Sequence, residues 1–73
     1  MKYAVEQRLR MIDYLLYHYG YIGRVHITDY FGVSTPTVSL DFSMYNDLNP
    51  GNMRYDVTDK RYVRLPTFKR AYP

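Results

Sequence analysis

Residues 27–45 read ITDYFGVSTPTVSLDFSMY, and the segment Gly32-Val33-Ser34-Thr35-Pro36 in the middle decides the fold. Gly32 suits the left-handed residue that closes a helix. Ser34 offers a hydroxyl that can accept from a free amide in the first turn of the next helix. Pro36 fits inside that turn, where a missing N–H is no loss. One short helix therefore ends, a tight turn carries the apolar Val33, and another helix begins. Val38, Phe42 and Tyr45 recur at steps of four and three, which makes them the inward stripe of the later helix. Asn49-Pro50-Gly51-Asn52 is turn chemistry and ends it near Asp47 or Leu48.

Working back toward the N-terminus, the short helix runs from Arg24 or Val25 to Phe31. Val25 or Ile27, with Tyr30 and Phe31, is expected to face inward. Before it, Val5, Leu9, Ile12, Leu16 and Tyr19 repeat at helical spacing, with Glu6, Arg10 and Asp13 expected on the other side. Glu6 and Arg10 form an i,i+4 pair in the favourable order. Gly20 suits the end of this first helix, and Tyr21-Ile22-Gly23 is a short connection that can be extended.

Working forward, Met53-Arg54-Tyr55 and Arg61-Tyr62-Val63-Arg64 flank the polar run Asp56-Val57-Thr58-Asp59-Lys60, which predicts a short hairpin. Pro66 and Pro73 bracket a tail expected to be irregular. The order is helix, helix, tight turn, helix, hairpin. Holding the second and third helices at a wide angle frees the third helix's outer face for a major groove. The predicted class is α+β, a winged helix-turn-helix in which three helices precede a two-stranded wing. Residues 1–65 form the domain and 66–73 its tail.

A chain of 73 residues allows one small domain with a marginal core. It has no cysteine, so neither a disulfide nor a thiolate metal site can staple it, and ten Tyr and three Phe supply bulk instead. The start, Met1-Lys2-Tyr3, lacks the apolar run of a secretory signal, and no stretch approaches the roughly 20 apolar residues of a membrane span, so a cytoplasmic protein is expected. Net charge is +3, unevenly distributed. Residues 1–50 carry Lys2, Arg8, Arg10 and Arg24 against five acids. Residues 51–73 carry Arg54, Lys60, Arg61, Arg64, Lys69 and Arg70 against Asp56 and Asp59. The excess of positive charge in the last third points to an anionic partner.

The third helix, Thr35 to Leu48, has no Lys or Arg. Its groove-facing residues are Thr35, Pro36, Thr37, Ser39, Leu40 and Ser43, whose hydroxyls and methyls can meet base edges. Phosphate contacts fall to the basic hairpin, Arg54, Lys60, Arg61 and Arg64, and to Arg24 and Ser34 at helix starts. Asp41 is read as a structural partner for a nearby Arg or amide. Tyr45, Tyr55 and Tyr62 are read as core, whereas Tyr3, Tyr14, Tyr17 and Tyr21 are harder to bury together and can form a dimer surface.

The run Phe31-Gly32-Val33-Ser34-Thr35-Pro36-Thr37-Val38-Ser39-Leu40-Asp41 resembles the winged helix-turn-helix of DeoR-like bacterial repressors. The run from Leu48 through Tyr55-Asp56 to Lys60-Arg61-Tyr62-Val63 is similar to the N-terminal domain of regulators that carry a WYL ligand-sensing domain downstream, including repressors linked to phage-defence operons. The resemblance covers about residues 5 to 65. It implies binding to double-stranded DNA as a repressor, with a homodimer on an inverted repeat. The chain is then expected to be either an excised DNA-binding domain or a stand-alone relative. It departs from the DeoR-like pattern at Leu40, where many such helices carry Arg.

That exposed Leu and the acidic third helix also motivate a second reading, a protein-interaction module on the same fold. Catalysis has little support. His18 and His26 lack metal-ligand spacing, Asp56 and Asp59 belong to a turn, and the four glycines form no phosphate loop. No cofactor or metal is expected.

Overall fold

The computed structural model describes residues 2–73. Helix α1 spans Tyr3–Tyr19, strand β1 Tyr21–Ile22, helix α2 Arg24–Phe31, helix α3 Thr35–Leu48, strand β2 Met53–Asp56 and strand β3 Arg61–Arg64. The strands pair antiparallel in the order β1-β3-β2. The hairpin thus gains a third strand from the connection before α2, which joins the wing to the helical layer.

Local chemistry sets the boundaries. Gly20 and Gly32 close α1 and α2 in the left-handed region, at φ 82° and 67°. Each amide donates to the carbonyl four residues back, Leu16 and Thr28 respectively. Ser34 caps α3 by accepting from the Thr37 amide, and Pro36 lies in the first turn. At the start of α2, the Gly23 amide donates to His26 Nδ1 at 2.9 Å, which gives that histidine a structural task.

One core joins all the elements. It contains Leu9, Ile12 and Leu16 of α1, Ile22 of β1, Ile27 of α2, Val38, Phe42 and Tyr45 of α3, and Met53 of β2. Burying side chains of this size stabilises by about 1.5–3 kcal/mol each. The register puts Ile22, Met53, Tyr55 and Tyr62 on one sheet face and Tyr21, Arg54, Arg61 and Val63 on the other. The first face meets the helices, where Tyr62 stacks on Phe42 with ring centroids 4.2 Å apart.

Four expectations about facing are corrected. Tyr19 and Tyr30 are exposed, at 65% and 71%, because the core is already closed by Leu16 and Ile27. Tyr55, on an edge strand, is also exposed. Asp13 lies inside rather than on the polar side. Its carboxylate accepts from the Tyr45 hydroxyl and from the amides of Ala71 and Tyr72, and pairs with Arg70. Those bonds replace the solvation it loses.

The tail has no helix or strand, but it is seated. Asn52 is buried; it accepts from the Lys69 amide and donates to the Lys69 carbonyl and to Tyr45. Thr67 donates to the Gly51 carbonyl. Asp41 pairs with Arg8, Nε to Oδ2 at 2.5 Å, tying α3 to α1 as a structural partner.

Candidate nucleic-acid interface

The stripe Val38-Asp41-Phe42-Tyr45 is buried, so Pro36, Leu40, Ser43 and Asp47, at steps of four, three and four, lie on the opposite side and are exposed. Thr35 is exposed as well, while Thr37 and Ser39 are half-buried on the flanks. All six residues expected to read bases therefore belong to the solvent side or flanks of α3. Two already have work within the fold. Thr37 shares a 3.0 Å hydroxyl contact with Ser34, and Ser39 accepts from Arg24 Nε at 3.2 Å. Leu40, 71% exposed, is the largest apolar group on the outer face.

The cations separate into three groups. Arg8, Arg10, Arg61 and Arg70 sit in ion pairs with Asp41, Glu6, Asp59 and Asp13. Arg64 lies at the far end of α1, where Nη1 donates to the carbonyls of Leu16 and Tyr17. Its charge there complements the negative end of the helix dipole, away from α3. Lys2, Arg24, Arg54, Lys60 and Lys69 have no acidic partner among the described residues. Removing the neutralised and committed cations leaves five, of which Arg24, Arg54 and Lys60 stand on α2 and the wing as the charge expected to meet phosphates.

Arg24 touches α3 directly, and Arg54, whose register position is on the outer sheet face, lines a groove beside it. A groove of about 240 Å³ runs between α3 and the sheet, with Ser43 and Asn46 on one wall and Arg54 and Tyr55 on the other. Arg24 closes the arrangement: it bonds Ser39, and its guanidinium carbon stands 5.8 Å from the Tyr55 ring centre. Lys60 is exposed in the wing turn and holds a left-handed φ of 54°, a conformation that costs a side-chain-bearing residue about 1–2 kcal/mol. Asp56 organises that turn by accepting from the amides of Thr58 and Asp59. Arg61 faces away from the helices, its guanidinium 4.1 Å from the Tyr21 ring centre.

Sequence reasoning missed Asn46 and Tyr55 as parts of this surface. Asn46 lies seven residues after Ser39 and three after Ser43, so helical spacing could have found it. Tyr55 gave no such signal, because exposure on an edge strand depends on how the wing meets α3. Among the described residues, no group of acidic, His or Cys side chains could hold a metal, and no helix is long and apolar enough to cross a membrane.

The three helices followed by a small antiparallel sheet agree with comparison to known proteins. Residues 4–72 match the family described as the BrxR transcriptional regulator winged helix-turn-helix domain. The chain is 41% identical over 71 residues to the DNA-binding transcriptional repressor CapW of Escherichia coli (strain KTE188), covering 97% of this chain and 24% of that protein. It is 39% identical over 72 residues to CapW of Pseudomonas aeruginosa, covering 99% and 24%. CapW of Stenotrophomonas maltophilia is 32% identical over 69 residues, covering 94% and 23%. The chain thus spans about a quarter of the length of these curated relatives. The family matched is the BrxR one; the likeness of residues 31–41 to DeoR-like repressors is not part of that match.

Proposed function

The chain belongs to the family of BrxR transcriptional regulator winged helix-turn-helix domains, and on that premise we propose that it binds double-stranded DNA as the operator-recognising part of a transcriptional repressor. The observation that carries this reading is the outward side of α3, free of acidic partners for its hydroxyls and bordered by the unpaired Arg24 and Arg54. The relatives' names as DNA-binding repressors support it.

In this reading α3 enters a major groove. Thr35, Pro36, Thr37, Ser39, Leu40 and Ser43 meet base edges, with Leu40 and the Thr methyls suited to thymine methyl groups. Ser34 and the first amides of α3 approach one phosphate. Arg54 and Lys60 follow the backbone along the wing, joined by Arg61 when its exposed 3.5 Å pair with Asp59 is exchanged for phosphate, and Arg24 stands at the junction. Arg64 contributes less, because it is engaged at the end of α1. One domain covers a single half-site, so a pair of copies on an inverted repeat is the arrangement that gives useful affinity. The larger size of the relatives, and the resemblance to WYL-containing regulators, support an effector response seated outside these 73 residues. The role is binding, not catalysis, and the compartment is that of the chromosome.

Titration of a labelled duplex, chosen from a random-sequence pool, tests this. Affinity falls steeply with salt, since neutralised phosphates release counterions. Replacing Lys60 and Arg61 with Ala weakens all duplexes alike and lowers the salt slope by about 1 for each phosphate left unneutralised. Failure to bind any duplex, or binding indifferent to salt, overturns the proposal.

A further inference from the structure

Whereas Arg61, also held twice, is paired with Asp59, Arg24 is held from two sides without an acidic partner. Nε donates to Ser39 on α3, and the guanidinium lies near the face of Tyr55 on β2. Tyr55 is itself braced edge-on against Tyr62 at 5.0 Å, and Tyr62 stacks on the buried Phe42 of α3. The chain of contacts leaves α3 at Phe42, passes through the sheet and returns to α3 at Ser39. Such a closed loop restrains the guanidinium from two sides. Its terminal Nη groups have no acceptor in the protein among the described residues.

A planar fork with an occupied Nε and two unclaimed Nη groups suits one kind of target: two acceptors side by side in a plane. In a major groove that target is guanine, through O6 and N7. A phosphate needs only charge and tolerates a mobile side chain, as Lys60 on the exposed turn provides. The reading helix has no Lys or Arg of its own, so the paired cationic contact to a guanine beneath α3 has to come from a neighbouring element. Ser39, the residue that holds Arg24, lies between Thr35 and Ser43 on the side of α3 that borders the sheet.

We propose that Arg24, reaching across from α2, specifies a guanine in each half-site through paired hydrogen bonds to O6 and N7. Ser39 and Tyr55 act as positioning residues that hold its fork in the plane of the base. This rests on the DNA-binding reading given above, and it reassigns Arg24 from the phosphates to a base.

Two measurements test it with the 73-residue chain and a duplex selected from a random pool. In the first, each guanine of the selected site is replaced in turn by 7-deazaguanine, which lacks the N7 acceptor. One replacement per half-site weakens binding of the unaltered protein about tenfold. In the second, the selection is repeated with Arg24→Lys, which keeps the charge and loses the fork. The preference at that one position relaxes about ten- to a hundredfold, while preferences elsewhere and the salt slope stay as they were. Tyr55→Leu produces a weaker relaxation at the same position. If Arg24→Lys keeps every preference, or no 7-deazaguanine substitution weakens binding, Arg24 is not a base reader, although the duplex binding itself stands. If the unaltered chain binds no duplex, both readings fall together. The analogue experiment needs no variant, so a misfolded mutant cannot mask the result.

Discussion

Lys60 shows how a single residue can separate fold from function. Its backbone is left-handed and its side chain points into solvent, so the fold gains nothing from having a lysine there. Glycine would relieve the strain, offset in part by the entropy it loses on folding. We expect Lys60→Gly to leave stability unchanged or to raise it by up to about 1 kcal/mol in urea unfolding. The same variant weakens duplex binding and reduces the salt slope by about 1. Asp41 is the opposite case. It sits on the reading helix but serves only the architecture, and Asp41→Ala leaves Arg8 buried and unpaired. That change costs about 3 kcal/mol or more, measurable as a lower urea midpoint. The sequence allowed this residue to be read correctly, because no other residue on α3 offers a buried Arg a carboxylate at such a position. It did not allow Asp13 to be read, because an acid beside an apolar stripe looks solvated until its partners, which lie 32 to 59 residues away, are brought to it.

At the scale of elements, the joint among α1, α3, the start of the wing and the tail is the least replaceable part. Asp13, Tyr45 and Asn52 form one buried network, and the tail amides complete it. Removing the Asp13 carboxylate strands a phenol and two amides, so Asp13→Ala should cost about 3–5 kcal/mol. Tyr45→Phe removes one hydroxyl and should cost about 1–3 kcal/mol. Burial, followed by the hydrogen bond to Asp13, pushes the Tyr45 phenol well above its ordinary value of 10.0. The fold therefore favours the protonated phenol. Its stabilising contribution is complete below pH 10 and is lost progressively as pH rises further. In an alkaline titration, the urea midpoint should fall less steeply above about pH 10 for Tyr45→Phe than for the native chain. The elements themselves were legible because their ends are written in local chemistry: Gly20, Gly32, Ser34, Pro36 and the Asn49–Asn52 turn. Strand β1 was only half legible, since two residues carry no periodicity and become a strand only when Val63 and Tyr62 pair with them.

At the scale of the molecule, net charge is a poor guide until the ion pairs are known. Four of the ten cations are matched by acids and one more caps a helix, so five remain, of which Arg24, Arg54 and Lys60 stand on α2 and the wing. The sequence placed positive charge in the last third but could not say that Arg64 and Arg70 are spent inside the fold. Nor could it show that Arg24, in the first half of the chain, joins the two halves of the surface through Ser39 and Tyr55. The tyrosines left exposed on α1 and α2, Tyr3, Tyr14, Tyr17, Tyr19 and Tyr30, lie on elements other than α3 and the wing. They should be silent toward DNA. Tyr14→Ser and Tyr30→Ser are expected to change duplex affinity by less than about twofold on a monomeric half-site.

The most direct test is backbone amide chemical-shift mapping while a selected duplex is added to the isotope-labelled chain. Changes concentrated at Arg24, residues 34–46 and residues 54–61, with little at residues 3–19, are the predicted result. Changes concentrated on α1 and the tail, with α3 and the wing unmoved, would contradict the account.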